Sequence, residues 1–195
     1  MALLCLFGCL RPPEEGEGFE FFESEAELCS QPTSDVVADV VDGDTVDLTG
    51  IDNLELDGVS GVRIRMLGVD TPEVYDDNGD KKDPPDCWGP EASDFTKSML
   101  RDHTAVTVEF DQDCADTYGR ALVYLYVDEN LLPPEYGGVA EEGMILFNEL
   151  LLREGYARWF DEDIEHAQDI RERERLLAAE AAAQADGLGL WSACP

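Results

Sequence analysis

Three short segments of the sequence place charged side chains where a strand or a turn does not need them. They are Asp42-Gly43-Asp44-Thr45, the segment RMLGVDTPEV at 65–74, and Asp116-Thr117-Tyr118-Gly119-Arg120. Alone, an Asp-Gly pair indicates only a turn, and an arginine at the start of a strand usually marks a solvated strand end. Together, the segments supply the carboxylates and guanidinium groups that can bind a cation and a phosphate.

The oxygen donors in these segments suit a hard divalent cation. Asp44 and Asp70 supply carboxylates, and a backbone carbonyl such as that of Thr71 supplies a further oxygen. Ca²⁺ binds about six to eight oxygens in irregular geometry, so water and a substrate phosphate can complete its shell. The sequence therefore predicts a Ca²⁺ site formed by Asp44, Asp70 and Thr71.

Two arginines and a glutamate complete the groups needed for phosphodiester hydrolysis. Arg65 and Arg120 carry planar guanidinium groups that match pairs of phosphate oxygens. Glu73 is a further carboxylate, suited to taking a proton from water. Because negative charge grows on the phosphoryl oxygens during hydrolysis, a cation and two arginines together stabilise the transition state.

Six segments carry a more specific signal through their order along the chain: VVDGDTVDL, RIRMLGVDTPE, WGPEASDFTKSML, DTYGRALVYLYV, FNELLLREGYAR and GLW. This order resembles the thermonuclease, or staphylococcal nuclease, family over about residues 36–191. The resemblance implies a mainly β fold with α-helices (α+β), a five-stranded OB-fold barrel with three packed helices. It also implies Ca²⁺-dependent cleavage of DNA and RNA that leaves 3′-phosphates.

The resemblance assigns the metal ligands, the two arginines and the general base to the same residues as the chemical argument does. It adds Tyr118, which lies where the family has a tyrosine near the bound phosphate. A second aromatic residue for base stacking is either Trp159 or Phe160, unless both are packing residues. His103 and His166 receive no role.

The elements that must position these residues are short strands with helices inserted late. The predicted strands lie at about 36–41, 45–48, 61–69, 105–110 and 121–127, and the predicted helices at 89–103, 145–154 and 163–185. In the third strand, Val62, Ile64 and Met66 share one face, and Arg63 and Arg65 share the other. A regular strand–helix alternation is absent, which argues against a doubly wound sheet.

The net charge of −32, from 45 acidic and 13 basic residues, is the unusual feature of the composition. Acidic residues continue along the chain rather than forming a tail, while a hydrophobic content of 44% is enough for a core. A distributed acidic surface with few lysines predicts a halophilic source. In salt near 1 M the Debye length is about 3 Å, so repulsion of a nucleic acid is screened and short-range contacts must supply binding.

The cysteines indicate an oxidising compartment. Cys29, Cys87, Cys114 and Cys194 are widely spaced, without the paired spacing of a zinc site. We favour the disulfides Cys87–Cys114 and Cys29–Cys194, with free buried thiols as the alternative. Cys87 ends an insertion at 74–87 directly after Glu73, so a disulfide there would hold the loop beside the site. A second insertion lies at 129–145.

The N-terminal region predicts export. Residues 1–10 resemble the end of a signal with a lipobox, in which Cys9 would be lipidated, although the usual charged start is missing. Either the true start lies upstream, or this stretch is only an apolar N-terminus. Residues 11–35, rich in glutamate, glycine and proline, predict a flexible tether, and residues 36–195 the nuclease domain. We expect an extracellular or lipid-anchored monomer without an obligate protein partner.

Two other functions fit parts of the pattern. A domain with the same barrel could bind nucleic acid or Ca²⁺ without cleaving; such degenerate domains tend to lose the arginines or the glutamate, which this chain keeps. An acidic Ca²⁺-binding surface protein would need neither Arg65 nor Arg120.

Overall fold

Five strands close into a small barrel in the computed structural model, which describes residues 32–49, 62–75, 79–101, 104–113, 116, 120–162 and 168–195. In chain order, the strands are β1 (Thr33–Val40), β2 (Thr45–Leu48), β3 (Val62–Met66), β4 (Val69–Asp70), β5 (Ala105–Glu109), β6 (Ala121–Asp128), β7 (Met144–Leu146) and β8 (Arg158–Trp159). The barrel uses β1, β2, β3, β5 and β6.

Pairing between neighbouring strands closes the barrel. β1 lies between β2 and β5, β2 pairs with β3, and β5 pairs with β6, all antiparallel. The ring is completed by a parallel pairing of β3 with β6, in which Ile64 faces Ala121. β7 extends the sheet beside β6, and β4 forms a separate pair with β8. The predicted α+β fold with a five-stranded OB-fold barrel is confirmed.

The barrel interior is filled by the apolar face of each strand. Val46, Ile64 and Val108 are completely buried. β6 is buried along nearly its whole length because it pairs with β3, β5 and β7. Burial of these side chains is the main stabilising contribution to the scaffold that carries the polar residues.

Within the described ranges, four helices accompany the barrel: α1 (Gly89–Met99), α2 (Phe147–Arg153), α3 (Arg173–Asp186) and the short α4 (Leu190–Ala193). Two 3₁₀ turns, Glu129–Leu131 and Pro134–Val139, lie in the second insertion. Among the described residues, no helix has both the length and the apolar composition that a bilayer crossing requires.

The predicted helix boundaries were wrong in three places, each because of a tertiary contact or a local cap. α1 ends at Met99 rather than 103, because Leu100 leaves the helical conformation. The Leu100 N–H still donates to the carbonyl of Thr96 and caps the helix. The helix predicted at 145–154 begins only at Phe147, because Leu146 pairs with Tyr126 in the sheet.

The start of the last long helix is shifted for a similar reason. It begins at Arg173 rather than 163, because the N–H groups of Arg171 and Glu172 bind Asp111 and Tyr124 of the barrel. Residues 163–167 lie outside the described part of the chain.

The boundary predicted between tether and domain also moves. β1 begins at Thr33, and its first residues pair with β5, with Thr33 opposite Val108. Residues 33–35 therefore belong to the barrel rather than to the tether at 11–35. Residues 1–31, including Cys5, Cys9 and Cys29, lie outside the described part of the chain.

The observed disulfide joins Cys87 to Cys194, so both predicted pairings, Cys87–Cys114 and Cys29–Cys194, were wrong. The bond forms because α4 returns to the loop before α1. The Leu190 N–H binds the carbonyl of Gly155 at the end of α2, and this contact fixes the path of the last residues. Sequence spacing carries no information about that contact.

Candidate active site

Arg65 lies buried between two carboxylates, one before it in the chain and one after it. Its guanidinium forms an ion pair with Asp44 Oδ2 through Nη1 and donates to Asp70 Oδ1 through Nη2 at 2.8 Å. Thr45 lies opposite Arg65 in the β2–β3 ladder, which brings Asp44 alongside. The side chains of Arg65 and Asp44 are 9% and 3% exposed, whereas Asp70 keeps 41% exposure. Asp70 therefore faces the solvent side of the cluster.

The Asp44 carboxylate also fastens the segment that follows β4. Its Oδ2 accepts from the Thr71 N–H at 2.7 Å and from Thr71 Oγ1 at 2.8 Å. The Thr45 hydroxyl donates to Oδ1 at 3.0 Å. Gly43 permits this approach, because a Cβ at Gly43 would lie 2.7 Å from two Thr71 side-chain atoms. The Asp-Gly pair is thus required by packing as well as by the turn.

Asp42 and Glu73 form the neighbouring part of the cluster. Asp42 is buried, and its two oxygens accept from the N–H groups of Gly43 and Val74 at 2.8 and 3.2 Å. Burial raises the pKa of Asp42, and the charge of Asp44 acts in the same direction. Asp42 had been interpreted only as part of a turn, but it fixes the backbone directly after Glu73.

The carboxyl group of Glu73 has a pKa raised from its ordinary value of 4.5 to about 8. Partial burial of this group is the largest cause, followed by the charges of Asp44 and Asp42 and a hydrogen bond with Asp42, while Arg65 opposes the shift. Glu73 as a whole residue is exposed, so a carboxyl group that feels these charges still reaches solvent.

Arg120 is held by Asp116, four residues earlier. Asp116 Oδ2 accepts from Arg120 Nε at 2.5 Å, and Oδ1 accepts from the Arg120 N–H at 2.9 Å. Arg120 directly precedes β6, whose second residue Leu122 pairs with Arg65 on β3. The chain therefore enters β6 beside the strand that carries the first arginine.

The donor chemistry of the cluster fits a hard divalent cation. Asp44 and Asp70 converge on one guanidinium, and the adjacent Thr71 supplies a carbonyl. Burial raises the pKa of Asp70, with the charge of Asp44 in the same direction and that of Arg65 opposed. A cation would relieve this crowding of negative charge. Within the described ranges, no three His, Cys, Asp or Glu residues are grouped to hold a metal, and the predicted set contains only two carboxylates.

The remaining residues considered in the sequence analysis either lie outside the described part of the chain or make packing contacts. Tyr118, His103 and His166 lie outside the described part of the chain. Trp159 packs against the backbone of Gly68, where an added Cβ would lie 2.8 Å from the Trp159 ring. Phe160 follows it and donates its N–H to the Gly68 carbonyl at 3.3 Å. These contacts favour packing for Trp159 rather than base stacking.

Three residues that support the site were not predicted. Asp116 pairs with Arg120, although a four-residue spacing favours an ion pair only on a helix and both residues lie outside the helices. Arg158 lies opposite Asp70 in the β4–β8 pair, and its charge lowers the pKa of Asp70. Thr96 of α1 donates its hydroxyl to the Gly43 carbonyl at 2.6 Å and so ties the helix to the β1–β2 turn.

Asn148 is a fourth unpredicted supporting residue, at the base of the same region. Its side chain is completely buried and donates to the carbonyls of Leu67 and Val123 at 2.9 and 3.1 Å. It also accepts from the Leu125 N–H at 2.9 Å. Asn148 thus binds α2 to β6 and to the turn before β4, which leads to Asp70.

The chain is similar to several known proteins. The family model described as "Staphylococcal nuclease homologue" matches residues 63–193. A thermonuclease from Staphylococcus hyicus is 33% identical over 153 residues, covering 78% of this chain and 72% of the relative. An uncharacterized protein from Methanocaldococcus jannaschii is 32% identical over 171 residues, covering 80% and 70%. Endonuclease YhcR from Bacillus subtilis is 30% identical over 159 residues, covering 80% of this chain but 11% of the relative.

Proposed function

Because the chain belongs to the staphylococcal nuclease homologue family, we propose that it is a Ca²⁺-dependent nuclease that hydrolyses phosphodiester bonds of DNA or RNA to 3′-phosphate products. The similarity to a thermonuclease and an endonuclease supports a nuclease-like function. The observation that carries the finer proposal is the buried Arg65 between Asp44 and Asp70, with Glu73 at the edge of the same cluster.

In this proposal, Asp44, Asp70 and the Thr71 carbonyl hold the Ca²⁺. When bound, the ion acts as a Lewis acid on a phosphoryl oxygen. Asp44 has a second task, because its hydrogen bonds to Thr71 fix the carbonyl-bearing segment relative to β2.

Arg65 and Arg120 are proposed to bind the scissile phosphate and stabilise its growing charge. Asp44 and Asp70 orient the Arg65 guanidinium, and Asp116 orients that of Arg120. Carboxylates that fix a guanidinium reduce the entropy that is lost when it binds phosphate. Glu73 is proposed to take the proton of the attacking water in its ionised form; its raised pKa of about 8 makes that form a stronger base, although it is the minor form at neutral pH.

The proposal is tested by assaying hydrolysis of single-stranded DNA and of RNA by the purified protein with Ca²⁺ and with excess chelator. We expect Ca²⁺-dependent cleavage with 3′-phosphate ends, and its persistence near 1 M salt, where the Debye length falls to about 3 Å. Ca²⁺-dependent binding without cleavage would instead support the non-catalytic module. Metal uptake that is unaffected by Arg65→Ala and Arg120→Ala, with no nucleic-acid binding, would support the acidic surface protein.

Export and attachment through Cys9 are a separate proposal, supported by the lipobox-like sequence and by a disulfide of the kind found in oxidising compartments. Mass spectrometry of the native cell-surface protein would test it. A lipid on an N-terminal Cys9 is the expected result, and a mature protein that retains residues 1–8 would contradict it.

A further inference from the structure

The segment Gly79–Trp88 runs beside Glu73 without contributing to the core. Every residue in it is exposed or only partly buried. It contacts the Glu73 region through backbone hydrogen bonds, from the Asp86 N–H to the Glu73 carbonyl at 3.0 Å and from the Lys82 N–H to the Val74 carbonyl at 2.9 Å. Apolar packing holds only the end of this segment, where the Trp88 ring stacks on that of Tyr156 with centroids 6.4 Å apart, and Gly79–Cys87 depends on the hydrogen bonds and on the disulfide.

Asp86 also accepts a hydrogen bond from Glu73, so each residue donates to the other. Its Oδ2 lies 3.4 Å from the Glu73 nitrogen, which donates to it, and its Oδ1 pairs with Lys82 Nζ at 2.7 Å. The Asp86 carbonyl also accepts from the N–H of Gly89, the first residue of α1. A Cβ at Gly89 would lie 2.8 Å from the Glu73 carbonyl oxygen, so α1 begins directly against the same peptide.

The Cys87–Cys194 disulfide joins this exposed segment to a firmly packed anchor. Cys194 follows α4, where Leu190 is buried and donates its N–H to the Gly155 carbonyl at 2.9 Å. Trp191 of the same helix lies under the Arg158 guanidinium, 4.4 Å from the ring centroid. The residue beside Asp86 is therefore bonded covalently to a part of the fold that the core holds in place.

We propose that the Cys87–Cys194 disulfide and Asp86 position Glu73 for hydrolysis, so that full activity requires the oxidised protein. This inference rests on the proposed nuclease function. When a dithiol reduces the protein, the S–S bond breaks and takes up two electrons and two protons to give two thiols, while the dithiol becomes a disulfide. The reduced protein keeps the barrel, Arg65 and the metal ligands. Cys87, however, is no longer bonded to Cys194, so the neighbouring Asp86 and its hydrogen bonds to the Glu73 peptide can shift.

The expected effect falls on turnover rather than on binding. A displacement of about 1 Å in a catalytic group can lower the rate by roughly 100-fold. Asp44, Asp70 and Arg65 are fixed by contacts within β2, β3 and β4, so phosphate and cation binding do not depend on the disulfide. If the disulfide only stabilised the fold, its loss would lower activity only in proportion to the unfolded fraction of the protein.

The test compares the parent with the double variant Cys87→Ser/Cys194→Ser, at a temperature where circular dichroism shows both to be folded. We expect kcat to fall by about 10-fold to 100-fold, with the KM for DNA and Ca²⁺-dependent binding of a nucleotide bisphosphate unchanged. Cys29→Ser is the matched control because it replaces another cysteine and leaves Cys87–Cys194 intact, and we expect it to retain the parent kcat.

Two substitutions at Asp86 separate positioning from general stability. Asp86→Asn keeps an oxygen acceptor for the Glu73 N–H and is expected to retain most of the turnover, whereas Asp86→Ala is expected to lose it. An equal kcat in the parent and the folded double-serine variant would overturn the proposal. Absence of hydrolysis by the oxidised parent would instead overturn the nuclease function on which it rests.

Discussion

Asp116 holds Arg120 at two points, with Oδ2 accepting from Nε at 2.5 Å and Oδ1 accepting from the backbone N–H at 2.9 Å. The side chain of Asp116 is 3% exposed, whereas that of Arg120 is 32% exposed. The acid is therefore the fixed partner, and the arginine extends from it.

This relationship predicts that Asp116 matters for activity through Arg120. Asp116→Asn keeps the side-chain oxygen that accepts from the Arg120 backbone N–H but loses the ion pair with the guanidinium. We expect kcat/KM to fall on the order of tenfold, because a charge-assisted contact contributes about 1.5–3 kcal/mol. Arg120→Lys should cost on the order of 100-fold, because lysine lacks the planar fork. Steady-state kinetics of the two single variants and the double variant measure the coupling. Fully additive losses would show that Asp116 does not act through Arg120.

Gly43→Ala is predicted to disturb the metal ligands rather than the turn. The new methyl group would lie 2.7 Å from Cγ2 and Oγ1 of Thr71, whose hydroxyl binds Asp44. We expect weaker Ca²⁺ binding by calorimetry and lower hydrolysis. Adding Thr71→Ser removes the clashing Cγ2 and should restore part of the affinity. A Gly43→Ala protein with the parent's Ca²⁺ affinity would contradict the packing argument.

We expect the Tyr124 hydroxyl to make part of the free energy of unfolding depend on pH. It donates to Asp111 Oδ2 at 2.6 Å. Burial alone would raise the pKa of Asp111, but the hydrogen bonds from Tyr124, Arg171 and Gln112 outweigh it, and the pKa lies below its ordinary value of 3.8. A lowered carboxyl pKa contributes stability above the unfolded-state pKa, which is lost as the pH falls through the folded-state pKa.

Tyr124→Phe should therefore lose about 1.5–3 kcal/mol of unfolding free energy at neutral pH, and less as the pH falls below about 4. Denaturant unfolding of the variant and the parent across this range measures the difference. A difference that does not change with pH would mean that the hydroxyl acts without its charged partner.

The net charge of −32 predicts that salt stabilises the fold. Raising the salt from about 0.1 to 1 M shortens the Debye length from about 10 to 3 Å, which screens repulsion among exposed carboxylates. We expect the thermal midpoint to rise with NaCl and to rise less in an uncharged osmolyte at the same osmolality. A midpoint that falls with salt would remove the support for a halophilic source.

How far the sequence could predict the site is illustrated by β3. Its alternation correctly separated Ile64 and Met66 from Arg63 and Arg65, but it treated both arginines alike. In the structure, Arg63 pairs with Asp47 at the surface, whereas Arg65 is buried between Asp44, which precedes β2, and Asp70 of β4. Period-2 patterning defines a face of a strand, and only tertiary contacts decide which residue on that face becomes enclosed.

The parts that the sequence did not predict all depend on contacts between distant segments. The disulfide follows from the return of α4, and the late start of α3 follows from bonds of Arg171 and Glu172 to the barrel. Local propensity favours a longer helix and carries no information about cysteine pairing. By contrast, the barrel strands could be placed within a few residues, because alternation and turn residues encode them locally.

Substitution of Glu73 tests directly whether this residue is the general base of the proposed hydrolysis. Glu73→Gln keeps the size of the side chain but removes the group proposed to take a proton from water. We expect Ca²⁺-dependent cleavage of single-stranded DNA to fall by about 100-fold or more, while Ca²⁺-dependent binding of a nucleotide bisphosphate keeps the parent's Kd. A Glu73→Gln protein that cleaves DNA as fast as the parent would contradict the account.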